Sequence, residues 1–199
     1  MTDTTFDYLE TFGIIQVKDK IRQYAEPEIK RYTSGIMGAY QDVFISGGCI
    51  ASLLQGEEPN DFDVYFRSIG IQKAVLDFVK MNHADEIEDY SVKYRDANAA
   101  TLGKVITENA TTMKNKIQFI TRKSGTPEEV RESFDFVHCT PWYDVSTNML
   151  YISREQYDLC VTKKLKVKNA GSLKGYRTQK FINRGYTWLI NPDLGQIQD

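Results

Sequence analysis

The sequence predicts an α+β fold in which helices flank a mixed β-sheet and a short, basic, mainly helical extension closes the chain. Three observations lead there. Ile14, Val17, Ile21 and Tyr24 recur at helical spacing near the start. Short apolar or alternating runs bounded by turn residues fill the middle, and helix-start signals with a run of bases mark the end. At 199 residues, 41% hydrophobic and 26% charged, the chain is an ordinary globular one. Such a chain buries about 70% of its unfolded surface. Residues 1–40 are expected as a helical segment on the core, 41–152 as the core, and 153–199 as the extension.

In order, Pro27 ends or bends the first helix and starts a second. Asp42 to Ser46 is a short apolar run closed by Gly47-Gly48, and Cys49 to Gly56 ends on glycine like a two-turn helix. The expectation is strand, glycine turn, helix. Glu58-Pro59-Asn60 is a turn leading into Asp61-Phe62-Asp63-Val64-Tyr65-Phe66, whose alternation predicts a strand with Asp61 and Asp63 on one face. Ile71 to Met81 fits an amphipathic helix. Tyr90–Tyr94, Lys104–Thr107 and Lys116–Thr121 are extended candidates.

Thr126-Pro127-Glu128-Glu129 is a helix start with a threonine cap, and Ser133 to Cys139 then predicts a strand placing Asp135 opposite His138. Ser153-Arg154-Glu155-Gln156 is a capping box, and Leu173 to Tyr186 a last helix with Arg177, Lys180 and Arg184 on one face.

Net charge is −2, yet Val161 to Trp188 carries eight bases and no acid, so the rest of the chain is strongly negative. That asymmetry points to an anionic partner held locally, although a basic run is also the mark of a solvated face, and Lys163 to Lys168 fits an edge strand equally well. Three cysteines at unrelated spacings write neither a disulfide framework nor a zinc pattern. No apolar run reaches membrane-spanning length and no signal peptide opens the sequence, so the expectation is a cytoplasmic protein without a membrane partner.

The constellation with chemical content is Gly47-Gly48, then Asp61-x-Asp63, then Asp135 inside an apolar run. Two carboxylates at i and i+2 of a strand point the same way and can hold hard divalent cations. A third carboxylate from a neighbouring strand would complete a two-metal site. Like charges among Phe62, Val64, Phe134 and Phe136 are costly unless a cation neutralises them. Asp144 is an alternative third acid, and Asp135 is alternatively a structural acid paired with Arg122 or Lys116. Cys49 reads as small-residue packing, His138 as a core histidine, and Tyr186 and Trp188 as tail packing.

Phe44-Ile45-Ser46-Gly47-Gly48, Asp61-Phe62-Asp63 and Asp135 together resemble the nucleotidyltransferase superfamily of DNA polymerase beta, the poly(A) and CCA-adding polymerases and small antibiotic-modifying enzymes. The segment from Ser172 to Tyr186 is loosely similar to small nucleotidyltransferase-like proteins of tailed phages, which would place the protein in a host cytoplasm. The resemblance implies transfer of a nucleoside monophosphate from a nucleoside triphosphate to an acceptor hydroxyl, with release of pyrophosphate. It implies two magnesium ions, with manganese as a substitute, held by Asp61, Asp63 and Asp135, the last also directing the acceptor's proton. Ser46, Gly47, Gly48, Ser52, Lys174, Arg177 and Lys180 become candidates for the nucleotide, and Tyr176 or Phe181 for stacking on its base. The acceptor is an RNA 3′ end or else a protein or small molecule. A non-catalytic nucleotide-binding or assembly protein on the same fold is the alternative.

Overall fold

The computed structural model describes residues 12–88 and 109–189. Two of the extended candidates, Tyr90–Tyr94 and Lys104–Thr107, lie outside the described residues. A six-stranded sheet runs through the molecule in the order β3-β4-β2-β1-β5-β6. It is built from β1 (Val43–Ser46), β2 (Phe62–Phe66), β3 (Ala110–Thr112), β4 (Ile117–Ser124), β5 (Trp142–Asp144) and β6 (Met149–Tyr151). Only the β2–β4 pair is parallel, so the sheet is mixed.

One sheet face is closed by helices. Phe62, Val64 and Phe66 alternate onto it from β2, as do Ile117 and Phe119 from β4. They meet α1 (Phe12–Tyr24), α2 (Glu26–Thr33), α4 (Gly48–Leu54) and α5 (Ile69–Asn82), with the short α3 (Ala39–Asp42) leading into β1. Val17 and Ile21 are fully buried in this core as their spacing requires, but Tyr24 is 53% exposed and Ala25 takes the inward position. Pro27 opens α2, where its missing N–H costs nothing. Burying side chains such as Val17, Ile21, Ile29 and Phe119 stabilises by about 1.5–3 kcal/mol each.

The opposite sheet face carries Phe44, Tyr65 and Trp142, partly covered by α6 (Pro127–Arg131) through Val130. Thr126 and Glu129 close a reciprocal capping box on α6, and Ser153 and Gln156 do the same for α7 (Arg154–Val161). The extension then forms a two-stranded parallel ribbon, β7 (Lys164–Leu165) with β8 (Thr187–Trp188), on either side of α8 (Gly175–Asn183). Phe136, Cys139, Leu165, Phe181 and Tyr186 make a second small core beneath α8.

The expected strand from Ser133 to Cys139 does not form. Phe136 makes one isolated bridge to Val167, after which the chain tightens into a 3-10 turn over Val137–Cys139. The reason is that its aromatic side chains are claimed by different cores: Phe134 packs on Tyr65, and Phe136 on Phe181. A strand cannot serve both. Among the described residues, no helix is long and apolar enough to cross a membrane.

Candidate active site

β1 delivers the chain to Gly47, whose φ of +104° is a backbone conformation that residues with a Cβ rarely adopt. The same turn is crowded from the front. A Cβ on Gly47 would stand 2.7 Å from an Oδ atom of Asp63, so the glycine makes room for that carboxylate. Gly47 N–H donates to the Cys139 carbonyl at 3.2 Å, and Gly48 begins α4 with nothing within 4 Å of where its Cβ would be.

β2 starts one residue later than expected, at Phe62, with Asp61 immediately before it. Phe62 and Val64 are buried against the helices, so Asp63 and Tyr65 project from the other face, where Asp63 is half-buried. Burial and the neighbouring Asp61 push the Asp63 carboxyl from its ordinary 3.8 up to about 7, against the pull of Arg177 and Lys180. Asp61 is also raised, chiefly by burial, while Lys180, Arg177 and Arg184 hold it down and Glu88 adds to the rise. Among the described residues neither acid has an ion-pair partner.

Asp135 has a different fate. It is 3% exposed and lies outside the sheet, where Arg177 Nε donates to one carboxylate oxygen at 2.5 Å and Nη2 to the other at 3.3 Å. The Phe136 N–H adds a third bond at 3.1 Å. Its partner is therefore Arg177 of α8, not Arg122 or Lys116. Asp144 does sit on a strand, but Arg67 and the Ser146 and Thr147 amides occupy it. Among the described residues no three His, Cys, Asp or Glu side chains are gathered closely enough to hold a metal ion.

Both serines are engaged elsewhere. Ser46 is fully buried and donates to the Pro141 carbonyl at 2.8 Å. Ser52 donates to the Gly48 carbonyl at 3.0 Å and accepts from Arg184 at 2.8 Å, so neither hydroxyl is turned to a phosphate. The basic extension is largely spent inside the molecule: Lys163 and Arg184 grip Glu57, Lys166 grips Glu155, and Arg177 grips Asp135. Lys174 and Lys180 are exposed and, among the described residues, form no ion pair. Of these two only Lys180 acts on the acids.

The role of Arg184, expected only on a helix face with Arg177 and Lys180, and the residue Gln118 both escape a reading of the sequence. Arg184 ties the end of α8 to α4 and to the loop before β2, while its charge reaches Asp61. Gln118 on β4 is the Cα partner of Asp63, and its Nε2 donates to Thr112 Oγ1 at 2.7 Å. A parallel register between segments 55 residues apart leaves no local sign. A separate cavity of about 530 Å³ lies against Trp142, Tyr151, Arg131 and Gln156, and none of the three candidate acids lines it.

The pair of acids suits a hard divalent cation. Asp61 and Asp63 offer oxygen donors, have no ion-pair partner among the described residues, and stand at a turn where Gly47 makes room for the Asp63 carboxylate.

Comparison with solved structures finds this same arrangement of sheet and helices in CCA-adding enzymes. The Thermotoga maritima CCA-adding enzyme complexed with tRNA is 14% identical with a TM-score of 0.57, over 89% of this chain and 43% of that one. A CCA-adding enzyme in complex with CTP gives 0.56 at 14% identity, over 87% of this chain and 42% of that one. The Bacillus stearothermophilus enzyme with CTP gives 0.55 at 14%, over 86% and 41%. The chain thus spans less than half the length of these proteins, and at such identity the likeness establishes the nucleotidyltransferase-type fold. No curated protein matches the sequence. A family model described as Gabija anti-defense 2 family protein matches residues 17–163, from within α1 through Asp61 and Asp63 to just past the end of α7. With the match running over well more than half its length, the chain belongs to the Gabija anti-defense 2 family.

Proposed function

We propose that the chain is a divalent-metal-dependent nucleotidyltransferase that moves a nucleoside monophosphate from a nucleoside triphosphate to an acceptor hydroxyl. The observation that carries this reading is Asp61 beside Asp63: two acids at the start of β2, both raised by burial, Asp63 raised further by Asp61, and without an ion-pair partner among the described residues. Evolving a buried like-charge pair is costly unless a cation is to sit there. Magnesium, or manganese in its place, is the ion that fits. When bound, it neutralises charge at the α-phosphate and on the leaving pyrophosphate.

Asp61 and Asp63 hold the ion. Gly47 makes room for the Asp63 carboxylate at the turn, and Lys180 with Arg177 draws the phosphates to that end of the sheet. Lys174 and the 74% exposed Tyr176 lie on the same extension, for the outer phosphate and the base. In the transfer the acceptor oxygen bonds to the α-phosphorus, the bond to the bridging oxygen breaks, pyrophosphate leaves with that electron pair, and the hydroxyl proton is released. Asp135 serves as a positioning residue, orienting Arg177.

The family's name supports an acceptor within the Gabija defence machinery. An RNA 3′ end is a second reading, favoured by the likeness to an enzyme complexed with tRNA. The buried, free cysteines suit a cytoplasmic setting. The test is pyrophosphate release with each of the four ribonucleoside triphosphates, with magnesium or manganese, offering purified Gabija proteins or total RNA as acceptor. Release and label transfer that vanish in the Asp61→Ala, Asp63→Ala variant establish the reaction and name the acceptor. Nucleotide binding without release under every condition favours the non-catalytic binding role instead, for which the engagement of Asp135 by Arg177 speaks.

A further inference from the structure

The sheet register shows what stands where a third carboxylate would be. Phe62 aligns with Ile117, Asp63 with Gln118 and Val64 with Phe119 in the parallel β2–β4 pair. Ile117 and Phe119 enter the same core as Phe62 and Val64, so Gln118 emerges on the face that carries Asp63. Aligned Cα positions on neighbouring strands lie about 4.8 Å apart. Gln118 is therefore the side chain beside Asp63, and it is neutral. Its amide nitrogen is committed to Thr112, leaving at most a carbonyl oxygen for the site.

Among the described residues, no third carboxylate joins Asp61 and Asp63 to make a metal-binding group. Both oxygens of Asp135 belong to Arg177. The Glu88 N–H pairs with the Thr112 carbonyl on the far side of β3, so its backbone stands across β3 and β4 from β2, and its charge reaches Asp61 without its carboxylate joining the two acids as a metal-binding set. Charge balance follows. Two carboxylates neutralise the charge of one divalent cation and leave none for a second.

We infer that the protein itself holds one divalent ion at Asp61 and Asp63, with Gln118 standing where a ligand for a second ion would be. This rests on the reading of Asp61 and Asp63 as a metal site. It replaces the two resident ions expected from the sequence with one, any further ion having to arrive with the phosphates of the nucleotide.

The experiment counts Mn2+ bound to the full chain without nucleotide, by titration calorimetry and by the loss of the free-ion electron paramagnetic resonance signal. Wild type is expected to bind one Mn2+ per chain, Gln118→Asn one, and Gln118→Glu two. Gln118→Asp places the same charge on a shorter stem and serves if the glutamate variant loses its circular dichroism spectrum. Two ions in wild type, or one in a folded variant with an acid at 118, overturns the inference while leaving the metal site standing. No ion in wild type, or one that persists in Asp61→Ala, Asp63→Ala, overturns the metal-site reading itself.

Discussion

Asp63 and Asp135 are both half-buried or buried acids among aromatic residues, but the molecule treats them in opposite ways. Asp135 is locked by a forked arginine and a backbone amide, so its charge is satisfied and serves to join α8 to the core. Asp63 has burial and Asp61 acting on it, and the glycine in front of it leaves room for its carboxylate. An acid with a partner holds a structure together. An acid without one is a site, because the energy spent in burying it is recovered only when a ligand arrives.

The largest expected effect breaks the satisfied side of that comparison. Asp135→Ala leaves Arg177 without its partner; removal of one member of a buried pair costs on the order of 3 kcal/mol, and the 41% exposure of the Arg177 side chain brings this to about 2. The urea midpoint should fall accordingly. Gly47→Ala comes next, destabilising by about 1–3 kcal/mol through its φ of +104° and pushing on Asp63, so Mn2+ affinity should fall along with the melting temperature.

Asp63→Asn reverses the sign. It exchanges a buried charge for a neutral amide, so the metal-free protein should melt higher, by about 2–4 °C for each kcal/mol gained, and lose its stabilisation by Mn2+. The pH dependence sharpens this. Between 3.8 and about 7 the folded chain keeps a proton on Asp63 that the unfolded chain has released, so this group lowers stability as pH rises through that window. In Asp63→Asn the contribution disappears, which urea titrations at pH 5 and pH 7 would show.

His138 tilts the other way. It is fully buried, with both ring nitrogens lacking a hydrogen-bond partner, between the rings of Phe136, Phe181 and Tyr186. Burial, with Arg177 and Arg184, lowers it from 6.5 to about 3. Over that range the unfolded chain binds the extra proton, so stability rises with pH, by up to about 1.4 kcal/mol per unit. His138→Leu should remove that slope and stabilise by about 1 kcal/mol. Between pH 4 and 6.5, Asp63→Asn should therefore turn the stability profile upward with pH relative to wild type, and His138→Leu should turn it downward.

What the sequence made legible was whatever is written locally. The capping boxes at Thr126 and Ser153, the opening of α2 at Pro27 and the glycine turn before α4 each depend on residues within one turn of each other. The proximity of Asp61 to Asp63 was readable for the same reason. The strand expected around Asp135 failed because alternation reports that faces differ, not that a neighbouring strand is present to pair. What was missed depends on distant partners: Gln118 matters through its register with Asp63, and Arg184, named only for its helix face, acts through Ser52 and Glu57.

The β7–β8 ribbon gives the extension one more property. By pairing Lys164–Leu165 with Thr187–Trp188 it ties off the intervening segment as a loop, with α8 inside it. α8 is thereby an intramolecular ligand for its own core, presenting Arg177 to Asp135 at an effective concentration on the order of millimolar. A triphosphate that recruits Arg177 competes with that tethered carboxylate. Nucleotide affinity is thus set partly by a contest inside the protein, and the length of the loop from 166 to 186 is one of its dials.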